Sequence, residues 1–143
     1  MSLPQVSLCF PGHARQALER YREIFGGEVG INTFADFGRS DGPEDAVAFG
    51  MLKGEVTLFA FDAGDEETAP RPMEGCLLTI LGDDPARYTG WFTALSEGGD
   101  VIDALQRRPW GDYDGTVRDR FGVMWLIGYS GGAQGAAEGG LDG

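Results

Sequence analysis

A chain of 143 residues, 42% hydrophobic and 11% aromatic, is long enough to bury a core and too apolar to stay disordered. With 11 Lys+Arg against 23 Asp+Glu its formal charge is −12, which repels phosphate backbones and anionic bilayers and excludes nucleic acid and membranes as expected partners. No run approaches the roughly 20 apolar residues that span a bilayer, no basic-then-apolar leader opens the chain, and two cysteines without a CxxC pair make no disulfide framework, so a cytoplasmic protein with free thiols is expected.

In chain order, Val6, Leu8 and Phe10 alternate with Gln5, Ser7 and Cys9, a strand pattern that Pro11-Gly12 ends. Ala14, Ala17, Leu18, Tyr21, Ile24 and Phe25 then recur at helical spacing, with Arg15, Glu19, Arg20, Arg22 and Glu23 on the other face. Gly26-Gly27 stops this helix. Residues 29–35, 46–52 and 55–61 read as strands, the last two joined by a tight turn at Lys53-Gly54. Residues 62–74 are acidic, carry two prolines and lack periodicity, which makes 63–74 the expected linker.

Beyond it the order recurs. Residues 76–81 are an apolar strand. Asp83 or Asp84 caps a helix whose first turn holds Pro85, where a missing N–H costs nothing. Tyr88, Trp91, Phe92 and Leu95 form one stripe, Gly98-Gly99 ends the helix, and residues 101–105 are a strand. Residues 113–119 and 123–129 flank a turn at Arg120-Phe121-Gly122. Gly26-Gly27-Glu28-Val29 and Gly98-Gly99-Asp100-Val101 thus occupy the same place in two copies of strand, helix and three strands, half a chain apart. One domain over 1–129 follows, with modules at about 3–62 and 75–129 and a glycine-rich tail over 130–143 that has little to bury and is expected to be flexible.

The stretch 21–28, with Tyr21, Phe25, Gly26, Gly27 and Glu28, resembles the first helix exit of the vicinal oxygen chelate superfamily, the glyoxalase, bleomycin-resistance and extradiol-dioxygenase group. Trp110-Gly111, followed by Asp119, Phe121, Gly122 and Trp125, resembles the end of that family's second module, and within it the PhnB-like branch. The resemblance covers about residues 3–129. It implies an α+β fold of two βαβββ modules paired into an open, barrel-like mixed sheet, and a homodimer. It also implies, in active members, a divalent metal held from the first and last strands of each module as a Lewis acid. The methyltransferase name often attached to that branch has no counterpart, since nothing resembles a glycine-rich nucleoside-binding turn.

The family's ligand positions are poorly filled. The first-strand histidine falls near Gln5 or Ser7, Glu74 stands where many metal-binding relatives carry histidine, and the last-strand carboxylate is Leu126. Glu55 is the one carboxylate expected on the fourth strand. The single histidine, His13, sits at the mouth of the first helix and reads as an exposed residue near the N-cap. No metal is therefore expected, with Gln5, Glu55 and Glu74 as the set if one binds.

What remains is a pocket for a small apolar or aromatic molecule, with Gln5, Ser7, Phe59, Trp110 and Tyr113 as its lining. Trp110 stands in a polar loop where an indole needs a lid or contact role, and Arg107 and Arg108 beside it suit either an anion or the acidic surface. Phe59, Phe61 and Trp125 read first as core, and Cys9 and Cys76 as buried small hydrophobes. The expected function is thus a small-molecule-binding protein with a degenerate metal site. Its rivals are a metal-dependent lyase, isomerase or dioxygenase using Gln and Glu ligands, and a resistance protein that sequesters a cationic drug drawn by the −12 charge.

Overall fold

The computed structural model describes residues 4–64 and 73–131. The chain divides into two compact units, Met1–Arg71 and Pro72–Gly143. The first holds β1 (Ser7–Phe10), α1 (Ala14–Phe25), β2 (Glu28–Thr33), β3 (Val47–Lys53) and β4 (Leu58–Asp62). The second holds β5 (Leu78–Gly82), α2 (Pro85–Ser96), β6 (Asp100–Arg107), β7 (Tyr113–Arg118) and β8 (Met124–Tyr129). Each forms an open four-stranded mixed sheet, ordered β1-β4-β3-β2 and β5-β8-β7-β6. In both, the first strand runs parallel to the last and the other neighbours are antiparallel. The α+β class and the duplicated element order are as the sequence predicts. No helix among the described residues is long and apolar enough to cross a membrane. Most of the predicted linker, and the predicted tail beyond Gly131, lie outside the described residues.

The repeated Gly-Gly-acid-Val has a physical job in each copy. Gly26 (φ 79°) and Gly98 (φ 78°) take positive φ just where each helix ends, a backbone conformation open to glycine without a Cβ clash. The second glycine lies against the backbone of the neighbouring strand's end: a Cβ on Gly27 would sit 2.6 Å from the Lys53 carbonyl oxygen, and one on Gly99 would overlap the Arg118 carbonyl oxygen. The acidic residue then starts a strand opposite a base, Glu28 across from Lys53 and Asp100 across from Arg118. The valine pairs with the next core residue back, Val29 with Leu52 and Val101 with Val117.

Each sheet buries one face against its own helix. On α1 the buried stripe is Ala14, Ala17, Leu18, Tyr21 and Phe25, while Arg22 pairs with Glu19 (2.7 Å) and Arg20 with Glu23 (3.3 Å) on the outer side. Leu8, Phe10, Leu52, Leu58 and Ala60 meet that stripe from the sheet. α2 buries Trp91, Phe92 and Leu95 against Val117, Trp125 and Ile127. Its N-cap is Asp84, whose side chain accepts the Arg87 N–H (3.2 Å), with Pro85 beginning the helix. α1 has no local cap and takes its acceptor from far along the chain. The buried Asp62 carboxylate, at the end of β4, accepts the Ala14 N–H (2.9 Å) and the Val47 N–H (2.9 Å).

Several predicted boundaries shift for local reasons. β2 stops at Thr33 because Asp36 accepts the Thr33 N–H (2.8 Å) and Thr33 Oγ1 accepts the Asp36 N–H (3.1 Å), turning the chain into a 3-10 turn over Ala35–Phe37. β4 begins at Leu58 rather than at Glu55. Thr57 Oγ1 accepts the Gly54 N–H (3.2 Å) and donates to the Gly54 carbonyl (2.9 Å), closing a longer turn than the Lys53-Gly54 hairpin predicted. β5 begins at Leu78, so Cys76 precedes it and is exposed rather than buried, and β6 extends to Arg107.

Candidate functional site

The face of each sheet turned away from its helix is set by strand alternation. In the first unit Gly50 faces α1, since a Cβ there would lie 2.6 Å from Leu18 Cδ1. Its neighbours Phe49 and Met51 therefore point to the open side. Register places Phe59 beside both Ser7 and Met51, and Phe61 beside Cys9. Phe49 and Phe59 rings stand 5.6 Å apart, with Phe49 44% exposed. Ser7, Cys9, Phe49, Met51, Phe59 and Phe61 thus make an apolar and weakly polar platform without a charge. Burial and the nearby Asp62 carboxylate raise the Cys9 thiol above its ordinary pKa, which keeps it protonated rather than nucleophilic.

Of the predicted pocket residues, Ser7 and Phe59 come together on this platform. Gln5 is exposed just ahead of β1, where the Val6 carbonyl accepts the Phe59 N–H (2.9 Å). Trp110 and Tyr113 come together in the second unit. They line a hollow of ≈ 270 Å³ with Leu81, Asp112 and Tyr129, where the Tyr113 and Tyr129 rings stack at 5.0 Å. Trp110 stays 56% exposed at the rim. A further hollow, of ≈ 450 Å³, lies in the first unit between Arg15 and Gln16 at the start of α1 and the loop residues Pro43 and Asp45, and holds none of the predicted residues.

Arg108 resolves in favour of the acidic surface. Its guanidinium is held by Asp114 (2.7 Å) and Asp103 (2.6 Å), and those two carboxylates raise its pKa further. Arg107 is exposed. His13 stands at the N-cap of α1, as read, but it is half-buried against Phe10, ring centroids 5.0 Å apart, rather than exposed. Trp125 is core, as read from the sequence.

The Asp-x-Phe-Gly-x-x-Trp stretch, read only as a family mark, turns out to be a structural device. The buried Asp119 carboxylate accepts the Phe121 N–H (2.9 Å) and Val123 N–H (3.0 Å) through one oxygen and the Trp125 indole N–H (2.9 Å) through the other. One side chain therefore folds the β7–β8 turn and fixes the largest fully buried side chain of its unit. The spacing of an acid, a turn glycine and a tryptophan was the signal available for it.

The profile of the Glyoxalase/Bleomycin resistance protein/Dioxygenase superfamily matches residues 5–127. The chain belongs to that superfamily. The fold is shared with protein PA1353 from Pseudomonas aeruginosa, 31% identical, with a TM-score of 0.74 over 90% of this chain and 98% of that one. It is also shared with a putative 3-demethylubiquinone-9 3-methyltransferase, PhnB protein, from Bacillus cereus, at 18% identity and the same TM-score, over 90% and 100% of the two chains. Uncharacterized protein Mb0911c from Mycobacterium bovis is 29% identical over 102 residues, 65% of each protein, so the match spans about two thirds of that relative's length.

The superfamily's metal can be tested against the strands that would hold it. β1, β4, β5 and β8 carry no histidine and no glutamate, and their one carboxylate, Asp62, faces α1 with both oxygens engaged by backbone N–H groups. Leu126 stands mid-β8 beside Thr79 and Thr116. Of the alternative ligand set, Glu55 is exposed in the β3–β4 turn rather than on β4, and Glu74 is exposed ahead of β5. Among the described residues no three of His, Cys, Asp and Glu are grouped to hold a metal ion. The donor set does not fit the family's metal.

Proposed function

We propose that this superfamily member is a small-molecule-binding protein that works without a metal ion and takes a neutral apolar or aromatic compound on the open face of its first sheet. The observation that carries the reading is the uncharged Phe49–Phe59 platform, backed by Met51, Phe61, Cys9 and Ser7. Aromatic faces left half-exposed in a soluble-type composition gain by stacking against a planar ligand, at about 0.5–1.5 kcal/mol per ring pair beyond burial. The strand donor chemistry set out above supports the absence of a metal role. Exposed Leu81, Val101 and Ile102 on the second unit support a homodimer, and the free thiols Cys9 and Cys76 support a cytoplasmic setting.

The test is metal loading. The protein is incubated with zinc, nickel or manganese, desalted and analysed by elemental mass spectrometry. Substoichiometric metal in all three is expected; tight one-to-one metal lost on Glu55→Gln or Glu74→Gln overturns the reading in favour of a metal-dependent enzyme.

A further inference from the structure

The hollow of ≈ 270 Å³ in the second unit lies where three strands end beside one turn. Tyr113 opens β7 and pairs in register with Tyr129, the last residue of β8, and Gly82 at the end of β5 lies on the other side of Tyr129. Trp110 reaches the rim from the β6–β7 turn, and that turn is braced. The Arg108 N–H donates to the Asp112 carbonyl (2.7 Å), the Gly111 N–H to the Arg108 carbonyl (2.9 Å), and Asp112 Oδ1 accepts the Gly131 N–H (3.3 Å). The Arg108 guanidinium ties the same turn to β6 and β7 through Asp103 and Asp114. Held in this way yet largely exposed, the indole is presented to solvent rather than spent on packing.

The lining carries one sign of charge. Asp112 and Asp114 both border the hollow and no Lys, Arg or His does, whereas Arg15 lines the hollow at the start of α1 and Arg118 the one beside Met73 and Met124. Arg108 does not cancel the field, since one guanidinium shared by two carboxylates leaves a negative charge over, and Asp112 adds another. Oδ1 is the oxygen engaged in both, on Asp112 by the Gly131 N–H and on Asp114 by Arg108, which leaves Oδ2 to a ligand. An indole attracts a cation through the negative face of its ring, more strongly than the other aromatic side chains do. A metal ion gains nothing from Trp110 or Leu81 and needs more converging oxygens than two aspartates supply, so the mixed lining selects an organic cation.

We infer that this hollow binds a small organic monocation, an alkylated or quaternary ammonium group, with its head beside Asp112 and Asp114 and its carbon surface against Trp110 and Leu81. Its volume is small beside pockets that hold drug-sized molecules, which suits a compact head of this kind. The site is separate from the uncharged platform of the first sheet and does not rest on it.

The test uses the full chain with 15N-labelled tryptophan, titrated at constant ionic strength with choline chloride and, in parallel, with 3,3-dimethylbutan-1-ol, the neutral carbon isostere of choline. The Trp110 indole N–H, identified by its loss in Trp110→Phe, reports on the hollow, and the buried Trp91 and Trp125 serve as references. A saturable Trp110 shift is expected with choline, about tenfold or more weaker with the isostere. Asp112→Asn keeps an oxygen for the Gly131 N–H while removing the charge, and should weaken choline binding about fivefold. Glu44→Gln removes the same charge from the first unit and should bind as wild type. Trp110→Leu, an exposed change, should weaken choline binding by a similar factor, read by calorimetry. The inference is overturned if choline leaves Trp110 unmoved, if choline and its isostere bind alike, or if Trp110→Leu binds as wild type. Equal weakening by Asp112→Asn and Glu44→Gln would also overturn it, because diffuse attraction to an acidic chain would then account for the binding.

Discussion

Replacing Asp119 tests whether the superfamily's turn motif is a structural device. In wild type this carboxylate accepts two backbone N–H groups and the Trp125 indole N–H at 2.9–3.0 Å, and it is 5% exposed. Asp119→Ala leaves the Val123 and Trp125 donors buried without an acceptor, each costing about 1–3 kcal/mol, and the Phe121 donor nearer solvent. Because the three share one group and the turn can relax, the sum is expected at about 3–5 kcal/mol rather than the full total. At roughly 2–4 °C per kcal/mol for a chain of this size, the melting temperature should fall by about 10 °C. Urea unfolding followed by far-ultraviolet circular dichroism gives the number. Asp119→Asn, which can serve the turn or the indole but not both, should fall in between. In a Trp125→Phe background, where the indole N–H is gone, the cost of Asp119→Asn should shrink by about 1–2 kcal/mol. An Asp119→Ala protein within 1 kcal/mol of wild type, or no coupling to Trp125, would refute the reasoning.

Gly99→Ala drives a Cβ into the Arg118 carbonyl oxygen and should destabilise by about 1–3 kcal/mol, whereas Gly30→Ala, with open space around it, should be nearly neutral; thermal melts of both decide it. Asp62→Ala strips the acceptor from the α1 N-terminus and from β3, and should cost about 2–4 kcal/mol in urea unfolding. Thiol labelling with a chromogenic disulfide should show Cys76 reacting first. Cys9 should lag and keep accelerating as pH rises beyond the ordinary thiol range, because its raised pKa delays thiolate formation; equal rates in Cys9→Ser and Cys76→Ser proteins would contradict this.

Much of the fold was legible because hydrophobic period and glycine stops act locally. The α1 stripe, the Asp84-Pro85 helix start and the paired Gly-Gly exits need only a few neighbouring residues, and all stand where spacing puts them. Glu55 was misplaced because Thr57 closes its turn through a side-chain hydroxyl, which alternation cannot see. The cap of α1 was invisible for the opposite reason, since Asp62 lies 48 residues from the N–H it accepts. The same limit applies at the candidate site. Ser7 and Phe59 share a face by register, a pairing of strands 52 residues apart that alternation within either strand does not reveal.

Binding on the Phe49–Phe59 platform should proceed without a metal ion. Titration of neutral naphthalene-2-carboxamide into methyl-13C-methionine protein, once in excess EDTA and once with added zinc, tests it most directly. A saturable Met51 shift with the same affinity in both solutions is expected, weakened at least tenfold by Phe49→Ala. Binding that appears only with zinc, or that ignores Phe49→Ala, would contradict it.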